Sequence, residues 1–286
     1  MQLSVIILNY NVRYFLELCV MSVQKALHGL DAEIIVVDNA SYDDSRSVIK
    51  ERFPEVIWIQ NAINEGFPKG NNIGVAHAQG EYVCILNPDT LVAEDTFLKI
   101  LDFLENTPDS LPKLRDPIPH TELGILGCRL FDGTGRFLPE SKRGVPTPWV
   151  AFTKVSGLYK IFPNWNLMNR YYAQSVPEDS NGVVEILVGA MMVMKKSLYL
   201  DLKGFDEACF MYSDDIDLSY RALLEGKQNI YFSETSVLHF KGESTSKDVT
   251  YLNHFRRAME YFYQKHFTSS RWLSVFLKLG AFVFSF

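Results

Sequence analysis

The stretch LSVIILNYN, Leu3 to Asn11, decides the fold. Its first six residues are a near-continuous apolar run rich in β-branched side chains, the pattern of a strand covered on both faces. It then breaks into Asn9-Tyr10-Asn11, where a Rossmann dinucleotide site would place G-x-G-x-x-G and a P-loop would place G-x-x-x-x-G-K-[ST]. The chain instead reads LNYNVRYF, which sets aside hydride transfer with a dinucleotide and P-loop ATP hydrolysis. A sugar nucleotidyltransferase would need a Gly- and Arg-rich loop there, and it is missing too.

Working outward, Glu33–Val37 (EIIVV), Val56–Gln60 (VIWIQ) and Tyr82–Leu86 (YVCIL) repeat the buried-strand pattern. Between them Arg13–Lys25, Asp43–Phe53, Lys69–Ala78 and Glu94–Asn106 carry apolar residues at helical spacing of three and four. Strand and helix in alternation predict a mostly parallel, doubly wound, Rossmann-like α/β sheet, in which ligands sit beyond the carboxyl ends of the strands. Each of the four strands exits into hydrogen-bonding side chains: Asn9 to Asn11, Asp38-Asn39, Asn61 to Asn64, and Asn87-Pro88-Asp89. Asn and Asp are common in turns, but four polar exits on one sheet edge point to a site.

Further along, Thr107–His120 carries four prolines and reads as a surface loop, and Leu123–Leu130 as a strand. Pro139–Gly182 is aromatic, without a clear period, and is the candidate for a region covering the site. Val183–Lys195 predicts one or two strands broken at Gly189, followed by short strands at Asn229–Phe232 and Val237–Phe240. Thr250–Phe267 has the spacing of an amphipathic helix. The last fifteen residues, WLSVFLKLGAFVFSF, are fewer than the roughly 20 that span a bilayer. An in-plane anchor, the start of a span, and a helix packed on the body all remain open for them.

With 286 residues, 47% of them hydrophobic, the chain has ample material for a large core. Its four cysteines lack any C-x-x-C pair and read as small buried residues in a reducing compartment. From Lys241 onward seven Lys or Arg against three acids give +4, so residues 1–240 carry −10 of the net −6. A basic, aromatic tail on an acidic body suits an anionic membrane surface, and the acidic body argues against nucleic acid. MQLSVIILNYN lacks the n-region of a signal peptide, so the expected location is cytoplasmic, peripheral on the inner face of a bacterial membrane.

The polar exits suggest a base and ribose site without a glycine loop. Tyr10, with Asn11 beside it, offers a stacking face, and Asp38 can accept hydrogen bonds from a base or ribose. In NEGFPKGNNIG, Asn64 and Asn71 supply amides, Gly66 and Gly70 close backbone approach, and Lys69 a counter-charge for phosphate. A turn followed by a helix would explain that segment equally well. Asp89, in LNPDT, follows a buried strand where Pro88 stiffens the turn and a carboxylate can meet a hard divalent cation. Asp43 and Asp44 read as first-turn acids of a helix and carry no assigned chemistry. In FMYSDDIDLSYR, Phe210 to Arg221, three carboxylates stand ahead of a helical pattern; they could start the helix, hold a metal or take a proton.

Taken in order, SVIILNYN, VVDNAS, NEGFPKGNNIG, LNPDT, GFDEACFMYSDDIDLSYR and HFKGES resemble the inverting glycosyltransferases of family 2, in the bacterial rhamnosyltransferase-like branch with the GT-A fold. The resemblance covers about Leu3 to Ser244 and implies a catalytic domain over residues 1–244, with residues 245–286 as a C-terminal helical appendage. It implies Asp38 as the pyrimidine-binding acid, with Tyr10 in the loop that packs on the base. Asn87-Pro88-Asp89 stands for the D-x-D metal motif, Asp89 being its second acid and Asn87 a departure. His239 matches a histidine that completes the metal site in some relatives. Asp215 matches the catalytic base, Asp214 stands where many relatives have Glu, and Gly189 lies near the donor sugar or acceptor. The implied cofactor is Mg²⁺ or Mn²⁺. The implied donor is dTDP-rhamnose or a UDP-sugar, and the acceptor a surface polysaccharide or lipid-linked glycan. The alternative is a non-catalytic nucleotide- or glycan-binding module on the same fold. On a helix Asp214 and Asp217 share a face while Asp215 points about 100° away from Asp214, which predicts separate jobs for the three acids rather than one metal cage.

Overall fold

The computed structural model describes residues 1–106, 123–147, 149–150, 153, 157, 161, 170–208, 210–242 and 249–267. The predicted loop Thr107–His120, most of 148–169, Cys209, Glu243-Ser244 and the apolar tail from residue 268 lie outside the described residues.

Three β/α units and a fourth strand come first. They are β1 (Leu3–Asn9) and α1 (Arg13–Ala26), β2 (Ala32–Asp38) and α2 (Ser45–Arg52), β3 (Ile57–Gln60) and α3 (Gly66–His77), and β4 (Tyr82–Leu86). A short β5 (Thr90–Val92), α4 (Thr96–Asn106) and β6 (Leu123–Phe131) follow. Next are β7 (Lys142–Arg143), β8 (Gly182–Val184), β9 (Ile186–Leu187), β10 (Met191–Lys195) and α5 (Lys196–Asp201). The chain continues through α6 (Asp214–Leu224), β11 (Gln228–His239) and α7 (Val249–His266).

The main sheet runs β3-β2-β1-β4-β10-β6-β11-β5, with β8 added to β11. Strands β3, β2, β1 and β4 are parallel throughout, with Asn9 level with Asp38 at the carboxyl edge. Strand β10 enters antiparallel between β4 and β6, which makes the sheet mixed in its second half. Successive residues of β1 feed two different cores: Leu3, Val5 and Ile7 pack with α1 and α4 on one face, Ile6 and Leu8 with Val75 of α3 on the other. That two-sided burial is why the strand reads as an unbroken apolar run. Strand β3 departs from the expectation, because it is the sheet's edge and its residues are exposed or half-buried.

Three differences from the sequence reading bear on the site. The two short strands predicted at 229–232 and 237–240 are one strand, β11, carrying a register shift between Phe232 and Ser236. The polar Ser233-Glu234-Thr235 resembles a turn in sequence, yet here Thr235 shares a hydroxyl contact of 2.8 Å with Thr96, and Asn181 accepts from the Ser233 amide. The segment 182–195 breaks at Glu185 as well as near Gly189, because the Glu185 carboxylate is spent on the Val145 amide at 2.6 Å and on Arg170. Helix α3 begins at Gly66, three residues ahead of the predicted Lys69, with Pro68 tolerated in its first turn.

The described part of the expected appendage is docked on the body. On α7, Phe262 packs with Ile216 of α6, and Tyr263 donates to the Pro146 carbonyl at 2.6 Å. Asp217 of α6 accepts from Arg221, Lys265 and His266 at 2.6, 2.7 and 2.7 Å. No helix among the described residues is long and apolar enough to cross a membrane.

Candidate active site

Because β2 and β4 leave β1 in opposite directions, the strand order reverses at β1, and a crevice opens at the carboxyl edge there. It holds a cavity of about 520 Å³. From the parallel half it is lined by Tyr10, Asn39, Asn64, Gly66, Asn87, Pro88 and Asp89. From the other half it takes Gly189, Asp214, Asp215 and His239, with Glu140, Arg143, Tyr171 and Tyr172 from the segment predicted to cover the site.

The rim formed by the exits of β1 to β3 is a hydrogen-bond network. Asp38, 1% exposed, accepts from Asn9 Nδ2 at 2.7 Å, the Ser41 amide at 2.9 Å and Gln60 Nε2 at 2.5 Å. Asn39 donates to Asn64 Oδ1 at 3.2 Å and to the Gly66 carbonyl at 3.1 Å, and accepts from Asn61 at 2.8 Å. Asn11, left-handed at φ 56°, accepts from the Tyr42 amide at 2.9 Å and so fixes the loop that presents Tyr10, 44% exposed, to the cavity. Asp38 and Asn11 thus lie beneath the lining and hold it in place.

The glycine-rich segment works differently from its sequence reading. Gly66 has φ +81°, and a Cβ there would meet the Phe210 ring at 2.8 Å, so it lets the 64–67 turn abut the segment between α5 and α6. Gly70 and Gly74 give α3 its close approach to β1, a Cβ on Gly74 meeting Ile6 Cγ2 at 2.5 Å, so their small size serves helix-on-sheet packing. Lys69 pairs with Glu65 at 2.7 Å on the outer face of the helix. Asn71 is fully buried and donates to the Phe67 carbonyl at 2.9 Å. Neither lines the cavity.

Asp89 and His239 are brought together by pairing that the sequence reading missed. Strand β5 pairs with the end of β11, setting His239 level with Thr90, and the Phe240 amide donates to the Asp89 carbonyl at 2.9 Å. His239 Nε2 then stands 3.4 Å from Asp89 Oδ1, with the two side chains 8% and 1% exposed. His239 Nδ1 and the neighbouring Asn87 Oδ1 are buried and have no hydrogen-bond partner. An imidazole and a carboxylate beside unspent buried acceptors suit a hard divalent cation. Among the described residues no group of three or more His, Cys, Asp or Glu converges, so the described residues would contribute two such ligands.

The three acids of α6 separate as their helical positions predict. Asp217 turns away to Arg221 and α7. Asp215 Oδ2 accepts from Arg143 Nη2 at 2.5 Å and from the Gly189 amide at 3.0 Å, while Oδ1 accepts from the Ile216 amide at 2.7 Å. Gly189 must be small here, since a Cβ would come within 3.3 Å of Asp215 Cβ. Asp214 is 8% exposed, and its Oδ1 is buried without a hydrogen-bond partner. Burial, and then the adjacent Asp215 charge, push its carboxyl up to about 7. Arg143 is the functional candidate that sequence reasoning missed. It stands in an aperiodic stretch, and only its pairing across β7 and β9 (Arg143 with Ile186) shows where it reaches.

A mixed α/β sheet with an acidic cavity at its switch point defines the class as GT-A, and solved structures agree. The chain superposes on the mannosyltransferase PcManGT of Pyrobaculum calidifontis, solved with GDP-Man and Mn²⁺, at TM-score 0.59 and 18% identity, covering 99% of this chain and 69% of that one. Against S. aureus TarS 1–349 with UDP-GlcNAc the TM-score is 0.59 at 16% identity, covering 91% and 65%. Residues 4–129 match the model of glycosyl transferase family 2. The chain is 27% identical over 229 residues to an N-acetylglucosaminyl-diphospho-decaprenol L-rhamnosyltransferase of Mycobacterium tuberculosis, spanning 75% of this chain and 68% of the relative. It is 25% identical over 268 residues to the rhamnosyltransferase WbbL of Escherichia coli, spanning 87% and 90%. These matches lie in the family whose motifs the sequence resembles.

Proposed function

We propose that this protein is an inverting, metal-dependent glycosyltransferase. It moves a sugar from a pyrimidine nucleotide donor, dTDP-rhamnose or a UDP-sugar, to a hydroxyl of a surface polysaccharide or lipid-linked glycan. The observation that carries the proposal is the cavity itself, where a base-sized aromatic and amide rim faces a carboxylate–imidazole pair, with two further carboxylates across the opening. The rhamnose and lipid-linked elements rest on the relatives' substrates.

The nucleotide would lie along the rim, its base against Tyr10 and the loop braced by Asp38, and its diphosphate towards Asn87 and Asp89. Asp89 and His239 would hold Mg²⁺ or Mn²⁺, which when bound offsets charge on the departing diphosphate. A second-row hydroxyl has far too high a pKa to attack unaided, so a carboxylate must take its proton. Asp214 and Asp215 stand across the cavity from the phosphate side, and attack from the face opposite the leaving group inverts the sugar carbon. The resemblance marks Asp215 for that role. A basic C-terminal segment fits work at the inner face of a membrane.

Calorimetry tests the donor site. UDP or dTDP should bind with Mn²⁺ present, lose at least about tenfold in affinity with EDTA, and lose the metal effect in Asp89→Asn. Metal-independent binding of either nucleotide, or none, would contradict the assignment of the cavity.

A further inference from the structure

Two aromatic walls line the cavity together with the Asp214–Asp215 pair. One is the helical turn Arg170–Tyr172, which contributes Tyr171 and Tyr172, their ring centroids 4.8 Å apart and their planes crossed at 86°. It is braced from behind. The Gly144 amide donates to the Tyr171 carbonyl at 3.0 Å, and Lys142 Nζ donates to the Tyr172 and Ala173 carbonyls at 3.4 and 3.3 Å. A Cβ on Gly144 would overlap the Arg170 carbonyl, so the turn sits directly on the chain leaving β7. The Tyr171 phenol acts electrostatically on Arg143, which holds Asp215, and this places the wall on the Asp215 side.

The other wall is the segment leading into α6. Phe210 is 41% exposed, yet it is fixed in place: its carbonyl accepts from the Phe67 amide at 2.9 Å, and its ring lies against Gly66. Tyr212 has φ 87°, a left-handed backbone that a bulky side chain rarely adopts. That conformation accompanies a hydrogen bond from its amide to the Asp214 carboxyl. Glycine would take the same backbone without strain, yet the position carries an aromatic ring, and strain of this kind clusters at ligand clamps.

Fixed rings beside carboxylates match the chemistry of a pyranose, whose C–H face packs on an aromatic ring while the hydroxyls at its edge donate to carboxylates. Three of the four rings carry a phenol, which suits a hydroxylated ligand better than an alkyl chain. The cations among the described lining residues, Arg143 and Lys241, are paired with Asp215 and Glu140, which favours an uncharged ligand. Tyr10, the ring proposed for the base, comes from the parallel half of the sheet and leaves these four unassigned. Resting on the glycosyl transfer proposed above, we infer that Tyr171, Tyr172, Phe210 and Tyr212 form the acceptor subsite, and that its occupant is a neutral pyranose stacked on these rings with one hydroxyl turned towards the Asp214–Asp215 pair. Tyr171 and Tyr172 lie outside every motif stretch, so their wall is the part that would set which sugar is accepted.

The test uses the full chain with UDP and Mg²⁺, a panel of methyl pyranosides (gluco, galacto, manno and N-acetylglucosamine) and their n-octyl counterparts, followed by saturation-transfer NMR. At least one methyl pyranoside should receive saturation, chiefly on the C–H protons of one ring face. Tyr171→Ser and Phe210→Ala should each weaken its binding by about five- to tenfold, and Tyr171→Phe should keep it within about twofold. Tyr212→Gly should lose affinity by a similar factor without a lower melting temperature, because relief of the left-handed strain offsets the lost ring. With a productive donor, Tyr171→Ser should raise acceptor KM by about five- to tenfold while donor KM stays within about twofold. No saturation of any methyl pyranoside, or binding that Tyr171→Ser and Phe210→Ala leave unchanged, overturns the subsite even where a nucleotide sugar is split. Saturation confined to the octyl chain, with none on the sugar ring, assigns the walls to a lipid and overturns it as well. Pyranoside binding by protein that splits no nucleotide sugar would instead sink the proposed function and leave the subsite standing.

Discussion

The two sides of the cavity treat their buried polar atoms differently. On the rim formed by the exits of β1 to β3, Asp38 is satisfied by Asn9, Ser41 and Gln60, and Asn39 by Asn61 and Asn64, with Asn9 Oδ1 and Asn71 Oδ1 the exceptions among the described residues. On the opposite side Asp214 Oδ1, His239 Nδ1 and Arg143 Nε are buried without a hydrogen-bond partner, and so is Asn87 Oδ1 at the boundary. An unpaired buried polar atom costs about 1–3 kcal/mol, so a fold keeps such atoms together only where something else repays them. The satisfied side is a scaffold, which in the proposed function would seat a base and ribose; the unsatisfied side is where ligand, metal and proton would complete the structure.

The largest way to break that comparison is at its unsatisfied side. Asp89→Ala should lower turnover about 10³-fold and abolish metal-dependent nucleotide binding, read by calorimetry and product release. Asp215→Asn should lower kcat about 10²- to 10⁴-fold with nucleotide affinity within twofold.

The folded carboxyl of Asp214 lies well above its ordinary 3.8, so the fold favours the neutral form; stability from this group is complete at low pH and is lost as pH rises through about 7. Asp214→Asn should therefore melt higher than wild type at pH 8.5, by on the order of 1–3 kcal/mol, and equally at pH 4. Asp217→Ala, which strips Arg221, Lys265 and His266 of their shared acceptor, should cost about 3 kcal/mol and loosen α7, read as faster amide exchange in that helix. The smallest effect is on the scaffold side. Gly74→Ala should cost about 1–3 kcal/mol by pressing on Ile6 while leaving nucleotide affinity unchanged, and a lost affinity would show that the glycines face ligand after all.

The parallel half was legible in the sequence because each of its elements obeys a local rule. Tyr82–Leu86 is a strand with the predicted ends, and the exits after β1, β2 and β4 form the crevice. What could not be read depends on partners far along the chain. Strand β5 is three residues whose role is to pair with β11 and bring Asp89 to His239. Ser233 to Thr235 resemble a turn until Thr96 and Asn181 are seen to satisfy them. Lys69 and Asn71 looked like phosphate and base contacts because composition does not say which face of α3 a residue takes. Arg143 was illegible for the same reason, since its meaning lies 72 residues away at Asp215.

The central claim is that this cavity splits a nucleotide sugar. Incubated with Mn²⁺ and a panel of UDP-, dTDP- and GDP-sugars, the protein should release UDP or dTDP slowly even without acceptor, and Asp89→Ala should abolish the release. No nucleoside diphosphate from any donor, under conditions where UDP or dTDP binds, would contradict the account and leave a nucleotide-binding module in its place.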